Sequence, residues 1–163
     1  MDYSKELRKF IEHDFSGLGE FVEIKYDPDS GAICDRCFAN VLKVVENRGG
    51  ERIIGWGFNI NPHGFKGLIV AEHHAVWKSP EGELVDISPR GKHAFLNPAI
   101  NAVPFLPDPS ATLIIPEGYS IGIPRPCKCW VFSKAGAKYA SLCLNFEKPF
   151  QRMYDGGLLE LDF

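Results

Sequence analysis

No stretch of the chain approaches eighteen consecutive apolar residues, so no helix long enough to span a membrane is expected. Positive charge is not in excess either: 18 lysines and arginines stand against 21 aspartates and glutamates. A net charge of −3 lacks the basic footprint of nucleic-acid binding, so neither nucleic acid nor a membrane is an expected partner. The first twenty residues have no apolar signal core and no small-residue cleavage site, which makes the cytoplasm the expected compartment. Internal repeats and low-complexity linkers are also absent. What remains is ordinary globular composition, 45% hydrophobic and 24% charged over 163 residues. That suffices for one core, and residues 1–163 are read as a single domain.

Five cysteines are present: Cys34, Cys37, Cys127, Cys129 and Cys143. An odd number without a secretion signal argues against a disulfide framework. The close pairs Cys34/Cys37 and Cys127/Cys129 then point to catalysis, to metal or to simple burial.

Along the chain, Leu7, Phe10, Ile11 and Phe15 recur at helical spacing, with Asp2 or Ser4 as a cap. Phe21 to Tyr26 reads as a short strand. A second helix is expected from about Asp35, its N-cap, to Arg48. Its apolar stripe would be Phe38, Val41, Leu42 and Val45, and Gly49 and Gly50 would end it. The period then changes to two: Arg52 to Asn59, Leu68 to Trp77 and Leu84 to Ser88 are expected strands. Ser79-Pro80-Glu81-Gly82 suits a type I turn closed by a glycine bulge, which joins the last two strands in a hairpin. From Pro89 to Pro126 proline and glycine give an irregular reading, with one more strand at Thr112 to Ile115. Lys128 to Ser133 reads as a strand and Ala135 to Phe146 as a short helix. Helix, strand, helix and then several strands favour an α+β fold, helices on one face of an antiparallel sheet.

The chemistry concentrates on Cys37, His74 and Asp86. Cys37 falls in the first turn of the second helix, where unpaired amides and the helix dipole favour thiolate. If Ser79 faces Glu83 across the turn, Val76 faces Asp86 and His74 faces Ser88. His74 and Asp86 then share one sheet face on neighbouring strands. A carboxylate there orients an imidazole and stabilises its charged form, and the imidazole can take a thiol proton and return one to a leaving amine. Singly, each residue is more often a buried thiol, a satisfied histidine or a turn aspartate; the weight lies in the combination. Asn40, one turn after Cys37, is a candidate oxyanion or substrate donor. Glu72 shares the His74 face, and Trp56 is a candidate wall of the cleft. An idle surface amide, a surface charge and a packed indole are the plainer roles for these three.

The stretches Cys37-Phe38-Ala39-Asn40-Val41, Gly55-Trp56, Glu72-His73-His74-Ala75-Val76-Trp77 and Leu84-Val85-Asp86-Ile87-Ser88-Pro89 resemble the core of transglutaminase-like cysteine proteins. Nearer still is a group of bacterial proteins with Cys-Phe-x-Asn-Val, Ala-Glu-x-His-Ala-Val-Trp and Leu-Val-Asp-Ile-Thr-Pro, a group that Phe105 to Pro109 also resembles. The likeness covers residues 34–109. It implies a papain-like α+β fold with N-terminal helices packed on an antiparallel sheet. It also implies a Cys37–His74–Asp86 triad, amide or acyl chemistry and no cofactor. The superfamily's Gly-x-Cys opening has its nearest counterpart in Gly31-Ala32-Ile33-Cys34, which makes Cys34 the rival nucleophile.

Residues 110–163 form an expected C-terminal extension. There Pro126-Cys127-Lys128-Cys129, Lys138-Tyr139 and Cys143 resemble a degenerate SecA-type zinc tail that lacks its fourth ligand. A four-sulfur site of Cys34, Cys37, Cys127 and Cys129 is the other metal option, and it would remove the nucleophile. The reading that follows is a cysteine acyl-transfer enzyme, an amidase or peptidase, acting through a thioester on an amide- or acyl-bearing substrate such as a peptide or protein. A catalytically inactive binding module on the same fold and a small zinc-stabilised binding protein are the alternatives.

Overall fold

The computed structural model describes residues 3–61, 65–90, 101–120, 122–125, 127–131 and 160–161. Ten elements follow one another: α1 (Tyr3–Asp14), β1 (Val22–Tyr26), α2 (Cys37–Arg48), β2 (Glu51–Ile60), β3 (Phe65–Lys66), β4 (Leu68–Lys78), β5 (Leu84–Asp86), β6 (Ala102–Pro107), β7 (Lys128–Val131) and β8 (Glu160–Leu161). The helix expected at Ala135 to Phe146 lies outside the described residues.

Five strands close on themselves in the order β2-β6-β1-β5-β4, and β4 returns to pair with β2. The ring is mixed: β1 runs parallel to β5, while its other pairings are antiparallel. β7 pairs with the start of β4, and β3 with β8. The expected papain-like arrangement, helices laid on one face of an antiparallel sheet, is therefore wrong; the fold is a closed, mixed five-stranded barrel with two short helices. The overturning element is β6. Its two prolines make Ala102–Pro107 read as loop, because proline donates no ladder hydrogen bond. Pro104 precedes the stretch paired to β2, Phe105 to Pro107, and Pro107 ends the strand, so β6 fits between β1 and β2.

The β4–β5 hairpin has the expected register. Trp77 pairs with Val85 and Lys78 with Leu84. Its turn closes from the Gly82 amide to the Ser79 carbonyl at 2.9 Å, with Gly82 at φ 91°.

Alternation divides the strands into two faces. Ile24, Val76, Val103 and Phe105 meet inside, with Tyr26, Ile53 and Leu84 against them, so all five barrel strands contribute. Outside, α1 lays Leu7, Phe10 and Ile11 over Trp56, Phe58, Ile69, Ala71 and Trp130. α2 covers a different outer patch, where Val41 and Val44 meet Ala75, Val85 and Ile87. Two details of α2 differ from expectation. Val44 is buried in place of Leu42, which is 47% exposed. Asp35 is not the N-cap: it sits at φ 60°, Arg36 occupies the cap position, and no side chain caps the helix. At Thr112 to Ile115 the pairing seen among the described residues is the bridge Ile114–Ile123.

A five-stranded barrel is narrow, and β2 meets this with glycine on its inner face. A Cβ at Gly55 would lie 2.2 Å from the Leu106 carbonyl oxygen and 2.8 Å from the Phe105 ring. Gly55→Ala should therefore lower stability by about 3 kcal/mol, the upper end of ordinary overpacking, because the opposing atom is backbone. Gly31→Ala, exposed and 3.4 Å from one side-chain oxygen, should stay within about 0.5 kcal/mol of wild type. Urea unfolding midpoints compare the two; equal losses would show that the Gly55 contact does not constrain the barrel.

Candidate active site

His74 and Asp86 both point inward, at the end of the barrel beyond the apolar layer. Strand pairing puts His74 beside Gly55 and Tyr26 beside Asp86. His74 Nε2 and Asp86 Oδ1 are 3.0 Å apart, with side-chain exposures of 14% and 0%. The ring finds its room at Gly57: a Cβ there would touch it at 3.3 Å.

Asp86 has no contact with solvent, so its charge is compensated locally. Oδ1 also accepts the Ser88 amide at 3.1 Å, and Oδ2 accepts Arg90 Nη2 at 3.2 Å. Burial pushes the carboxyl group upward, but the His74 charge and hydrogen bond, then Arg90 and the Ser88 amide, bring it below the ordinary carboxylate range. For His74 burial lowers proton affinity. The Asp86 charge and hydrogen bond outweigh burial, the Cys37 side chain adds to them, and the imidazole is pushed up to about 10.

Cys37 opens α2 and is partly buried. It acts on the His74 ring as both a hydrogen-bonding and a charge partner. With Nε2 committed to Asp86, Nδ1 is the ring nitrogen left for the thiol. The structure thus brings Cys37, His74 and Asp86 together in that order. Cys34 has a different setting: burial, then the negative charge of Asp35 and its hydrogen bond, with Glu72 adding, push its thiol upward. Such a group is a poor thiolate source.

The other candidates separate. Asn40 is buried, and its carboxamide is occupied. It donates to Ile33 O at 2.7 Å and to Ser88 Oγ at 3.2 Å, and it accepts the Ile33 amide at 2.9 Å. It ties the chain before α2 to the segment after β5. Trp56 points outward, packs on Phe15 and donates to Asp108 at 2.9 Å; it forms core, not cleft. Glu72 is exposed on the His74 side of β4. Cys129 is buried and its thiol is pushed far up by that burial; Cys127 is partly buried, and Cys143 lies outside the described residues. No group of three or more His, Cys, Asp or Glu among the described residues is placed to hold a metal ion. No helix among them is long and apolar enough to cross a membrane.

Sequence reasoning placed Ser88 opposite His74 but missed Arg90, Tyr26 and Asn59 as neighbours of the three residues. His73 is not a second base. Its Nε2 faces the Ala111 carbonyl and its Nδ1 accepts the Arg125 amide at 2.8 Å, which fixes one neutral tautomer, and burial lowers its proton affinity. Comparison with known proteins finds no match: no family model, no curated protein and no solved structure resembles this chain closely enough to count.

The His74–Asp86 pair makes stability depend on pH in a defined way. The contribution of His74 is complete below its unfolded value of about 6.5 and is lost as pH rises towards about 10. That of Asp86 is present above the unfolded carboxylate value and lost as pH falls through its lower folded one. Asp86→Asn, which strands two buried cations, should cost about 3–5 kcal/mol near pH 6. The gap to wild type should shrink clearly by about pH 9.5. Urea titrations at the two pH values measure it, and a gap that stays constant would show that the pair does not carry the effect.

Proposed function

We propose that the chain is a cysteine acyl-transfer enzyme, an amidase or peptidase, in which Cys37 is the nucleophile, His74 the base and Asp86 the group that orients the base. The observation that carries this reading is the order of contacts: a helix-start thiol against an imidazole whose far nitrogen is held by a fully buried carboxylate at 3.0 Å. The strand pair fixes the base, and α2 brings the thiol to it. The likeness of the surrounding motifs to transglutaminase-like cysteine proteins supports acyl chemistry as the class.

Cys37 Sγ attacks a carbonyl carbon, and His74 holds the thiol proton as imidazolium. The first amides of α2, which have no helical partner, are the donors available to the oxyanion. Collapse expels the amine, which takes the proton from His74, and leaves a thioester on Cys37. Water, deprotonated by His74, attacks the thioester and releases the acid; an amine in place of water gives transfer. A peptide or protein amide is the proposed substrate, and the odd cysteine count with a nucleophilic thiol favours the reducing cytoplasm as the setting.

An activated ester reports on the site without knowledge of the natural substrate. p-Nitrophenyl acetate should give a burst of nitrophenolate and an acetyl group on Cys37, located by peptide mass spectrometry. Cys37→Ala should abolish the burst with the fold retained, since one small side-chain atom is lost. His74→Ala should slow acylation by roughly 10²–10⁴-fold. Acetylation of Cys34 in preference to Cys37, or a rate indifferent to His74, would sink the triad; the chain would then be a binding module.

A further inference from the structure

Arg90 lies where three barrel strands meet and belongs to none of them. Its side chain is nine-tenths buried. One arm of the guanidinium, Nη2, donates to Asp86 Oδ2 at 3.2 Å, and the other, Nη1, donates to Asn59 Oδ1 on β2. Its backbone amide donates to the Tyr26 hydroxyl on β1 at 3.2 Å, and its guanidinium carbon stands 5.8 Å from the Tyr26 ring centroid. Nε has no partner among the described residues, so the group works through its two arms alone.

We propose that Arg90 is a positioning residue of the site: it clamps the second oxygen of Asp86 against β2 so that the first is held on His74 Nε2. This rests on the triad reading above. A carboxylate bonded only through Oδ1 is free to rotate about its χ2 bond, and rotation would exchange the oxygen that meets the imidazole. With Oδ1 on His74 and the Ser88 amide and Oδ2 on Arg90, both oxygens are fixed. Lysine cannot replace this arrangement, because an ammonium is a single point and the arms of Arg90 reach two strands at once. Among the described residues, the ionic groups facing Asp86 are His74 from β4 and Arg90; Cys37 from α2 faces it through the imidazole, and Glu72 on β4 is exposed. Without Arg90 the carboxylate keeps one cation, and protonation of Asp86 becomes easier. A protonated Asp86 no longer holds the imidazolium, and the thiol loses its charged partner.

The test uses the full chain as wild type, Arg90→Met and Arg90→Lys, with folding followed by near-ultraviolet circular dichroism. Two quantities are read: the iodoacetamide alkylation rate of Cys37 against pH, and the imidazole ¹⁵N–¹H signal of His74. In Arg90→Met the acid limb of alkylation should move up by about 1–3 pH units, the effect of removing one neighbouring charge. The His74 Nε2–H signal should broaden or vanish. Arg90→Lys should keep the limb within about one unit of wild type yet still lose the sharp ring signal, because it restores charge without the two-armed clamp. A folded Arg90→Met with the wild-type limb and a sharp wild-type ring signal overturns the proposal. Should Arg90→Met fail to fold, Arg90→Lys decides through the ring signal. Failure of the triad reading looks different: wild-type alkylation would already be indifferent to His74→Ala, while the ring signal still reports whether Arg90 holds Asp86.

Discussion

A carboxylate with no solvent-exposed surface governs this structure. Asp86 is 0% exposed, and an isolated charge at that depth is not sustainable in a folded protein. It persists because a ring nitrogen, a guanidinium and a backbone amide converge on its two oxygens. Those partners arrive from different places in the chain, so the register of several elements is fixed together. The turn at Ser79 to Gly82 decides which side of β5 faces inward. A slip of one residue would turn Asp86 out and bring Val85 or Ile87 in, exchanging the polar end of the barrel for an apolar one.

The barrel in turn sets what fits beside that carboxylate. Five strands enclose little space. Phe105 fills the apolar end because Gly55 gives it room, and the His74 ring fills the polar end because Gly57 does the same. The alternation Gly55, Trp56, Gly57, Phe58 on β2 therefore serves two purposes. Its inner positions vanish so that side chains from other strands can enter, and its outer positions bind α1. The site is the continuation of the barrel interior towards one end, where apolar side chains give way to His74, Asp86, Asn59 and Tyr26.

Which parts of this were legible in the sequence follows from the range of each signal. The hairpin was readable because its register depends on four adjacent turn residues, and the pairing of Trp77 with Val85 followed directly. α2 was readable from its apolar period, although its start was placed on Asp35, a residue that adopts a left-handed backbone instead. Ring closure was not readable. It depends on β6, whose prolines give no local strand signal, and on the parallel β1–β5 contact, which no turn encodes. For the same reason the shared face of His74 and Asp86 was legible from the hairpin alone, whereas Arg90 became visible only once β1, β2 and β5 were brought together. Asn40 and Trp56 had suitable chemistry and position in the sequence, but their polar atoms are occupied by Ile33, Ser88 and Asp108.

Charge balance links the site to the reaction proposed for it. With Cys37 as thiolate, four groups alternate in sign: thiolate, imidazolium, carboxylate and guanidinium, neutral in sum. The Cys37 charge is one of the causes that raise the proton affinity of His74. In the proposed reaction, attack of Sγ on the carbonyl carbon would move that charge to the carbonyl oxygen while Asp86 and Arg90 stay fixed. The imidazolium then becomes a stronger acid at the step that requires it to protonate a leaving amine. In the proposed cycle, hydrolysis of the thioester would regenerate the thiolate and restore the imidazolium. Arg90 supports this alternation by keeping the Asp86 carboxylate ionised and fixed, so that the imidazole retains its partner. The same contacts that keep a buried aspartate ionised thus hold the imidazole by one nitrogen and leave the other for Cys37.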